Sequence, residues 1–89
     1  MNNSDDTLFE FPCQFPIKIM GKTSDVFEIE VVQIIRQHVP DLGESAVKRR
    51  ESAKSNYAAL TVTITAHSRE QLDAIYMDLT ASEHVIMAI

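Results

Sequence analysis

Several residues on which common kinds of site depend are scarce in this 89-residue chain. Its single cysteine, Cys13, cannot form an internal disulfide, which excludes a small secreted scaffold held together by disulfides. Two glycines, Gly21 and Gly43, are too few for a glycine-rich loop that cradles a phosphate. No apolar run approaches the ~18 residues that cross a bilayer, and the first residues lack the basic and apolar regions of a signal peptide. We therefore expect a cytoplasmic protein.

Metal-binding and catalytic patterns are also missing. The three histidines, His38, His67 and His84, have no zinc-like spacing, and no second cysteine completes a Cys-x-x-Cys pair. Cys13 stands between Pro12 and Gln14 with no basic neighbour to stabilise a thiolate, so a packing role is favoured. No pair of carboxylates stands out as an acid/base couple. The sequence predicts no metal, no cofactor and no enzymatic activity.

Acidic residues outnumber basic ones in this chain. Thirteen acidic residues oppose eight basic ones, and the net charge of −5 disfavours non-specific binding to a phosphate backbone. The basic strip Lys48-Arg49-Arg50, followed by Lys54, is a local exception to the acidic average. A nucleic-acid-binding module that uses this basic hairpin is therefore the alternative function. An RNA-recognition sheet needs aromatic rings on its central strands. The clearest predicted strand, Tyr57–Ala66, offers threonines at those positions instead.

The first half of the chain predicts a tail, an arm, a strand and a helix. Residues 1–7 are polar and should form a disordered tail, and the prolines within 8–16 favour an extended arm. Alternation predicts the first strand over Phe15–Met20, ended by Gly21. Apolar residues at helical spacing predict a buried helix that starts after Ser24 or Asp25 and ends near His38. Asp25 and Glu28 resemble a capping box.

The second half predicts a hairpin, a helix and a final strand. Residues 46–52 can form a weak, charged edge strand, and Tyr57–Ala66 alternates aliphatic residues with threonines. A capping box over residues 68–71 starts an amphipathic helix. His84–Ile89 predicts a short strand with Val85, Met87 and Ile89 on one face.

The element order is therefore β-α-β-β-α-β, which predicts one domain over residues 8–89 of the α+β, ferredoxin-like class. Two helices should cover one face of a four-stranded antiparallel sheet, with the strands beginning at Ala46 and His84 at its edges. On the uncovered face, Lys18 and Met20 should adjoin the threonines of Tyr57–Ala66. Such a face suits a protein partner, a small anionic ligand or plain solvent.

Three segments carry a family resemblance. Leu8-Phe-Glu-Phe-Pro followed by Phe15-Pro-Ile-Lys-Ile-Met-Gly21, the helix segment 32–40, and Lys54-Ser-Asn-Tyr57 resemble the YbeD-like proteins, small bacterial proteins of unknown function. Ser55 stands where that family typically has glycine. The resemblance implies a fold similar to ACT regulatory domains, which bind small metabolites and usually pair. It also implies a link to lipoate metabolism, because related genes often neighbour lipoyl-transfer genes.

The leading interpretation is a non-enzymatic regulatory or protein-interaction module. Its expected partners are a second copy in a homodimer, another protein, or a small-molecule effector such as ACT domains bind, with no membrane contact. An enzyme using Lys18 or His38 is a third hypothesis. We expect ligand or partner binding to concentrate in two patches, one at each end of the first strand: Glu10, Phe11 and Pro12 at one end; Lys18, Met20, Gly21, Ser55, Asn56 and Tyr57 at the other.

Overall fold

A computed structural model describes residues 10–51 and 56–89 of the chain. The predicted tail over 1–7, the beginning of the arm before Glu10, and residues 52–55 with Lys54 and Ser55 lie outside the described residues. In the described parts no helix is long and apolar enough to cross a membrane.

The elements follow the predicted order. They are β1 (Cys13–Lys22), α1 (Asp25–Arg36), a 3-10 turn (Glu44–Ala46), β2 (Val47–Glu51), β3 (Tyr57–Ala66), α2 (Arg69–Thr80) and β4 (Val85–Ala88). The four strands form one antiparallel sheet in the order β2-β3-β1-β4. The predicted fold class is therefore confirmed, with the predicted strands at the edges.

Both helices begin at a serine cap. The Ser24 hydroxyl accepts a hydrogen bond from the Phe27 N–H at 3.1 Å, so Ser24 is the N-cap and the capping box predicted at Asp25 is wrong. The Ser68 hydroxyl accepts from the Gln71 N–H at 3.0 Å, while the Gln71 side chain accepts from the His67 N–H at 2.7 Å. α1 ends at Arg36, two residues earlier than predicted.

The core lies between the sheet and the two helices. Alternate residues of β1 and β3 face the helices, and both helices present residues at i, i+3 or i+4 spacing. The largest fully buried side chains are Phe27, Ile17, Ile19, Ile35, Leu60, Ile64, Ile75, Leu79, Val31 and Val62. Burying each of these side chains contributes about 1.5–3 kcal/mol relative to exposing it. The core therefore stabilises the sheet and fixes the positions of the residues on the side away from the helices.

Two predictions about the strands are wrong. Gly21 does not end β1, because the strand continues to Lys22 and Gly21 pairs with both Ala58 and Val85. The pairing of β1 with β4 changes register between Met20 and Gly21. Because one extra residue is accommodated there, Val85 packs against the core while Met87 is exposed, so the two do not share a face.

The edge strands are shorter than predicted. Ala46 belongs to the 3-10 turn, so β2 starts one residue later, at Val47. Beyond β4, Ile89 and Lys18 exchange two backbone hydrogen bonds of 2.8 Å each, which extends the pairing by one position. This pairing places Ile89 opposite Lys18, on the side of the sheet away from the helices.

Candidate functional site

The side of the sheet away from the helices is the candidate site, and it is called the open face below. Its members are the β1 and β3 residues that alternate with the core residues, together with their partners on the edge strands. They are Gln14, Pro16, Lys18, Met20 and Lys22 of β1; Tyr57, Ala59, Thr61, Thr63 and Thr65 of β3; Lys48 and Arg50 of β2; and Met87 with Ile89 at β4.

Positive charge is concentrated on the open face. Its four cations are Lys18, Lys22, Lys48 and Arg50, and no strand position described on this face is acidic. Within residues 10–51 and 56–89, no ion pair reaches any of the four. These ammonium and guanidinium groups therefore face solvent without an acidic partner from the described part of the domain.

Negative charge is concentrated on the opposite, helical layer. Six acidic residues lie on the two helices against two arginines: Asp25, Glu28 and Glu30 with Arg36 on α1, and Glu70, Asp73 and Asp78 with Arg69 on α2. Ion pairs are found on this layer, such as Arg69 with Asp73 at 3.9 Å. The net charge of −5 thus hides a domain with one basic side and one acidic side.

Exposed apolar side chains lie beside the open-face cations. Met20 and Met87 are paired across β1 and β4 and are 40% and 45% exposed, and neighbouring Ile89 is 67% exposed. At the end of β1, Lys22 pairs with Tyr57, whose ring is 45% exposed. The open face therefore combines cations with contiguous aliphatic surface along its β4 edge.

The predicted site residues fall at two ends of β1, but not all on one surface. Lys18 pairs with threonine Thr61 as expected, whereas Met20 pairs with Ala59. Gly21 is buried on the core side. The Asn56 carbonyl accepts a hydrogen bond from the Thr23 N–H at 3.1 Å, which closes the end of the sheet.

The arm residues lie at the far end of the sheet. Cys13 pairs with Ala66 at one end of β1 and Lys22 with Tyr57 at the other, so about 30 Å separates the ends at ~3.4 Å per residue. Glu10 and Pro12 are exposed there, while Phe11 packs partly buried against the core. The structure does not bring the arm to the Lys22 end.

The basic strip of the hairpin is split between the two sides. Lys48 and Arg50 point to the open face, whereas Arg49 pairs with Leu60 on the core side and its guanidinium lies 3.4 Å from the Glu28 carboxylate of α1. On the described open face the only aromatic ring is Tyr57. A continuous basic strip with stacking rings is therefore not present there.

Other polar side chains that the sequence brought into question lie away from the open face. The His38 Nε2 lies 2.7 Å from the Asp78 carboxylate, and the Gln71 amide donates to the His38 carbonyl at 3.3 Å, so the loop after α1 is fastened to α2. Burial raises the pKa of the Tyr76 phenol above its usual value of 10, so this phenol stays neutral in ordinary buffers. Cys13 packs against the core. In the described ranges no three His, Cys, Asp or Glu residues gather as a metal site.

The sequence matches a known family. The model of the family described as "Protein of unknown function (DUF493)" covers residues 6–89. A UPF0250 protein of Chromobacterium violaceum is 48% identical over 89 residues, which is the full length of both chains. A UPF0250 protein of Paraburkholderia phytofirmans is 50% identical over 80 residues, or 90% of each chain.

Two solved structures share the fold. Protein HP0495 from H. pylori superimposes with a TM-score of 0.71 at 11% identity, covering 98% of this chain and 91% of its own. The ACT domain from GTP pyrophosphokinase of Chlorobium tepidum superimposes with a TM-score of 0.64 at 15% identity, covering 85% of this chain and 84% of its own. Matched by its family model over nearly its whole length, the chain belongs to the DUF493 (UPF0250) family of YbeD-like proteins, and its fold is ACT-like.

Proposed function

We propose that this chain is a non-catalytic interaction module that binds an acidic surface of a partner protein through its open face. The observation that carries the proposal is the separation of charge: four cations on the open face, and six acidic residues on the two helices behind it. A surface of one sign steers an oppositely charged partner and orients it, because the acidic helical layer repels the same partner.

A protein fits the open face better than a nucleic acid does. Single-stranded nucleic acids bind by stacking successive bases on aromatic rings, and this face offers only Tyr57 among its described positions. Its exposed aliphatic side chains include Met20, Met87 and Ile89. Aliphatic side chains flanked by cations suit a protein surface that carries carboxylates around apolar residues.

The proposal is tested with defined anionic probes. Fluorescence anisotropy compares a short glutamate-rich peptide with a single-stranded RNA of equal charge at ~50 mM salt. We expect the peptide to bind and the double variant Lys18→Glu with Lys22→Glu to weaken its binding more than about tenfold, a loss of ~1.4 kcal/mol. The matched control, Arg36→Glu with Arg69→Glu, makes the same change in net charge on the helical layer and should weaken binding far less.

Two results would count against this proposal. Equal losses in the two double variants would mean that only net charge matters and that the open face is not the site. Tighter binding of the RNA than of the peptide, with the same dependence on Lys18 and Lys22, would favour the nucleic-acid alternative.

A small-molecule effector is a second candidate, supported by one cavity. A depression of about 490 Å³ lies against the loop after α1, and its lining includes the polar residues His38, Thr63, His67 and Gln71. Hydrogen-bonding groups around a concavity of this size suit a small polar metabolite, and the ACT-like fold supports a regulatory role.

Thermal shift with a metabolite panel that includes lipoate tests the second candidate. A ligand at a hundredfold excess over its Kd should stabilise the native domain by about 2.7 kcal/mol. His67→Ala should abolish that shift while leaving the melting temperature without ligand nearly unchanged, because His67 is exposed. A panel with no shift would remove this candidate for the compounds tested, and turnover of any compound would contradict the non-catalytic assignment.

A further inference from the structure

A groove on the helical side runs between α1 and the edge strand β2. Its volume is about 630 Å³. Its apolar lining comes from Ile29 and Val32 of α1 and from Val47 of β2, and charged residues of both signs also line it. At 1.5 Å per residue, the twelve residues of α1 give the groove a wall about 18 Å long.

The strand that forms the other wall is an edge strand. β2 is the last strand in the order β2-β3-β1-β4, and among the described residues it pairs with β3 alone. In the described part of the chain, residues 48–50 make no backbone hydrogen bond other than those to β3. Alternate N–H and C=O groups of β2 therefore point away from β3 at the edge of the sheet, beside the groove, where an extended chain can pair with them.

We propose that β2 and α1 together bind an extended segment of a partner protein, which adds to the sheet as a fifth strand at the edge of β2. Side chains of an added strand alternate between the two sides of the sheet. One set enters the groove and meets Ile29, Val32 and Val47. The other set lies on the open face beside Lys48 and Arg50, where opposite charges across strands are favourable. The segment recognised therefore alternates apolar and acidic residues.

The structure disfavours a second copy of the same strand as the occupant. Two β2 strands pairing antiparallel would bring Lys48 and Arg50 of one chain near the same residues of the other. Like charges on neighbouring strands destabilise the pair, and charged edges protect strands from self-association in this way. The same cations favour an acidic segment from a different protein.

An exposed ion pair crosses the groove. The Arg49 guanidinium reaches from β2 to the Glu28 carboxylate of α1 at 3.4 Å, and both side chains are about 40% exposed. An exposed ion pair of this kind contributes only ~0–1 kcal/mol. An incoming segment can therefore displace it at little cost. This binding mode shares Lys48 and Arg50 with the open face of the proposed function but uses neither Lys18 nor Lys22, so the two can be tested separately.

The test uses a synthetic peptide, Ser-Val-Glu-Val-Glu-Val-Ser with both ends capped and a fluorophore attached. Its control has the same composition with the two glutamates adjacent. We expect the alternating peptide to bind the whole chain more than about tenfold tighter than the control. Ile29→Asp should weaken that binding by a similar factor, because it places a charge in the apolar lining of the groove. Ile29 is 57% exposed, so the variant should remain folded.

Backbone methylation distinguishes strand addition from simple side-chain contact. Two versions of the peptide carry N-methyl groups on alternate residues, one set on each edge of the extended chain. Strand addition predicts that one version loses binding and the other retains it, since only one edge pairs with β2. Three results would overturn the inference. They are equal binding of the two methylated versions, equal affinity of the alternating peptide and the control with adjacent glutamates, and no binding of the alternating peptide.

A further variant separates this inference from the proposed function. Lys18→Glu with Lys22→Glu should leave the alternating peptide's affinity within about threefold, because both lysines lie on β1, two strands away from β2. A loss of more than about tenfold in this variant, with Ile29→Asp leaving the affinity unchanged, would show that the peptide binds the open face alone. That result contradicts strand addition and still agrees with the proposed function.

Discussion

Replacing Gly21 with alanine is expected to destabilise the domain by about 3 kcal/mol, although the change adds only one methyl group. A β-carbon at Gly21 would collide with the His84 carbonyl oxygen and with the Phe27 ring. The first obstacle is backbone and the second is a fully buried ring, so neither can move aside cheaply. Overpacking of this kind costs ~1–3 kcal/mol, and two rigid obstacles place Gly21 at the upper end.

The second glycine provides a matched control. A β-carbon added at Gly43 would meet no atom of the described residues within 4 Å, and the extended backbone there suits any residue. Gly43→Ala should therefore be neutral or stabilise by up to ~1 kcal/mol through the unfolded chain. Urea unfolding measures both variants, and a melting temperature lowered by ~4–8 °C per kcal/mol gives a second readout. Equal stability of the two variants would contradict the close approach at Gly21.

Replacing Phe27 with alanine is expected to have the largest effect on stability, about 3–5 kcal/mol. The ring is 1% exposed, lies on the core side of α1 and contacts the backbone of β1 at Gly21. Removing a buried aromatic ring loses its transfer free energy and leaves a cavity that the neighbouring strands fill only partly. For a domain this small, such a loss approaches the whole free energy of unfolding.

Neighbouring substitutions keep the Phe27 prediction testable. Phe27→Leu retains much of the side-chain volume and should lower the free energy of unfolding clearly less than Phe27→Ala. Its stability can therefore be measured even if the alanine variant does not fold. Val26→Ala changes the adjacent residue, which is 49% exposed, and should stay within about 0.5 kcal/mol of the original chain. A Phe27→Leu variant as stable as the original would contradict the packing described for α1.

Local periodicity explains why most of the fold could be predicted. The alternation over Tyr57–Ala66 coincides with β3 at both ends, because a half-buried strand repeats every two residues. The serine caps at Ser24 and Ser68 mark the starts of both helices, because a side-chain acceptor satisfies an N–H group that the helix leaves unpaired. These signals depend only on nearby residues.

The errors lie where contacts distant in sequence decide the outcome. Gly21 reads as a strand breaker when taken alone, yet it is a strand residue whose missing side chain admits Phe27 and the His84 carbonyl. Met87 and Val85 lie on different sides of the sheet because the pairing of β4 with β1 changes register between Met20 and Gly21. No pattern within residues 84–89 indicates this shift. Pairing between strands, rather than propensity, determines both features.

The candidate site was predicted only in part for the same reason. Lys18, Met20 and Tyr57 were expected in a site, and the structure places all three on the open face. Lys22 was missed because β1 was expected to end at Gly21, although the alternation of Lys18, Met20 and Lys22 continues past it. Lys48 and Arg50 lie on the opposite side of the sheet from Arg49 because they alternate with it along β2. The separation of positive and negative charge becomes visible only when the residues of the sheet and of the helices are compared.

Mapping the binding surface by NMR tests the central claim most directly. The domain is labelled with ¹⁵N and titrated with the glutamate-rich peptide at low salt, and amide shifts are followed residue by residue. We predict shifts concentrated on the open face around Lys18, Lys22 and Thr61, disappearing as salt is raised. Shifts confined to α1 and α2, or an unchanged spectrum at saturating peptide, would contradict the assignment of the open face as the binding surface.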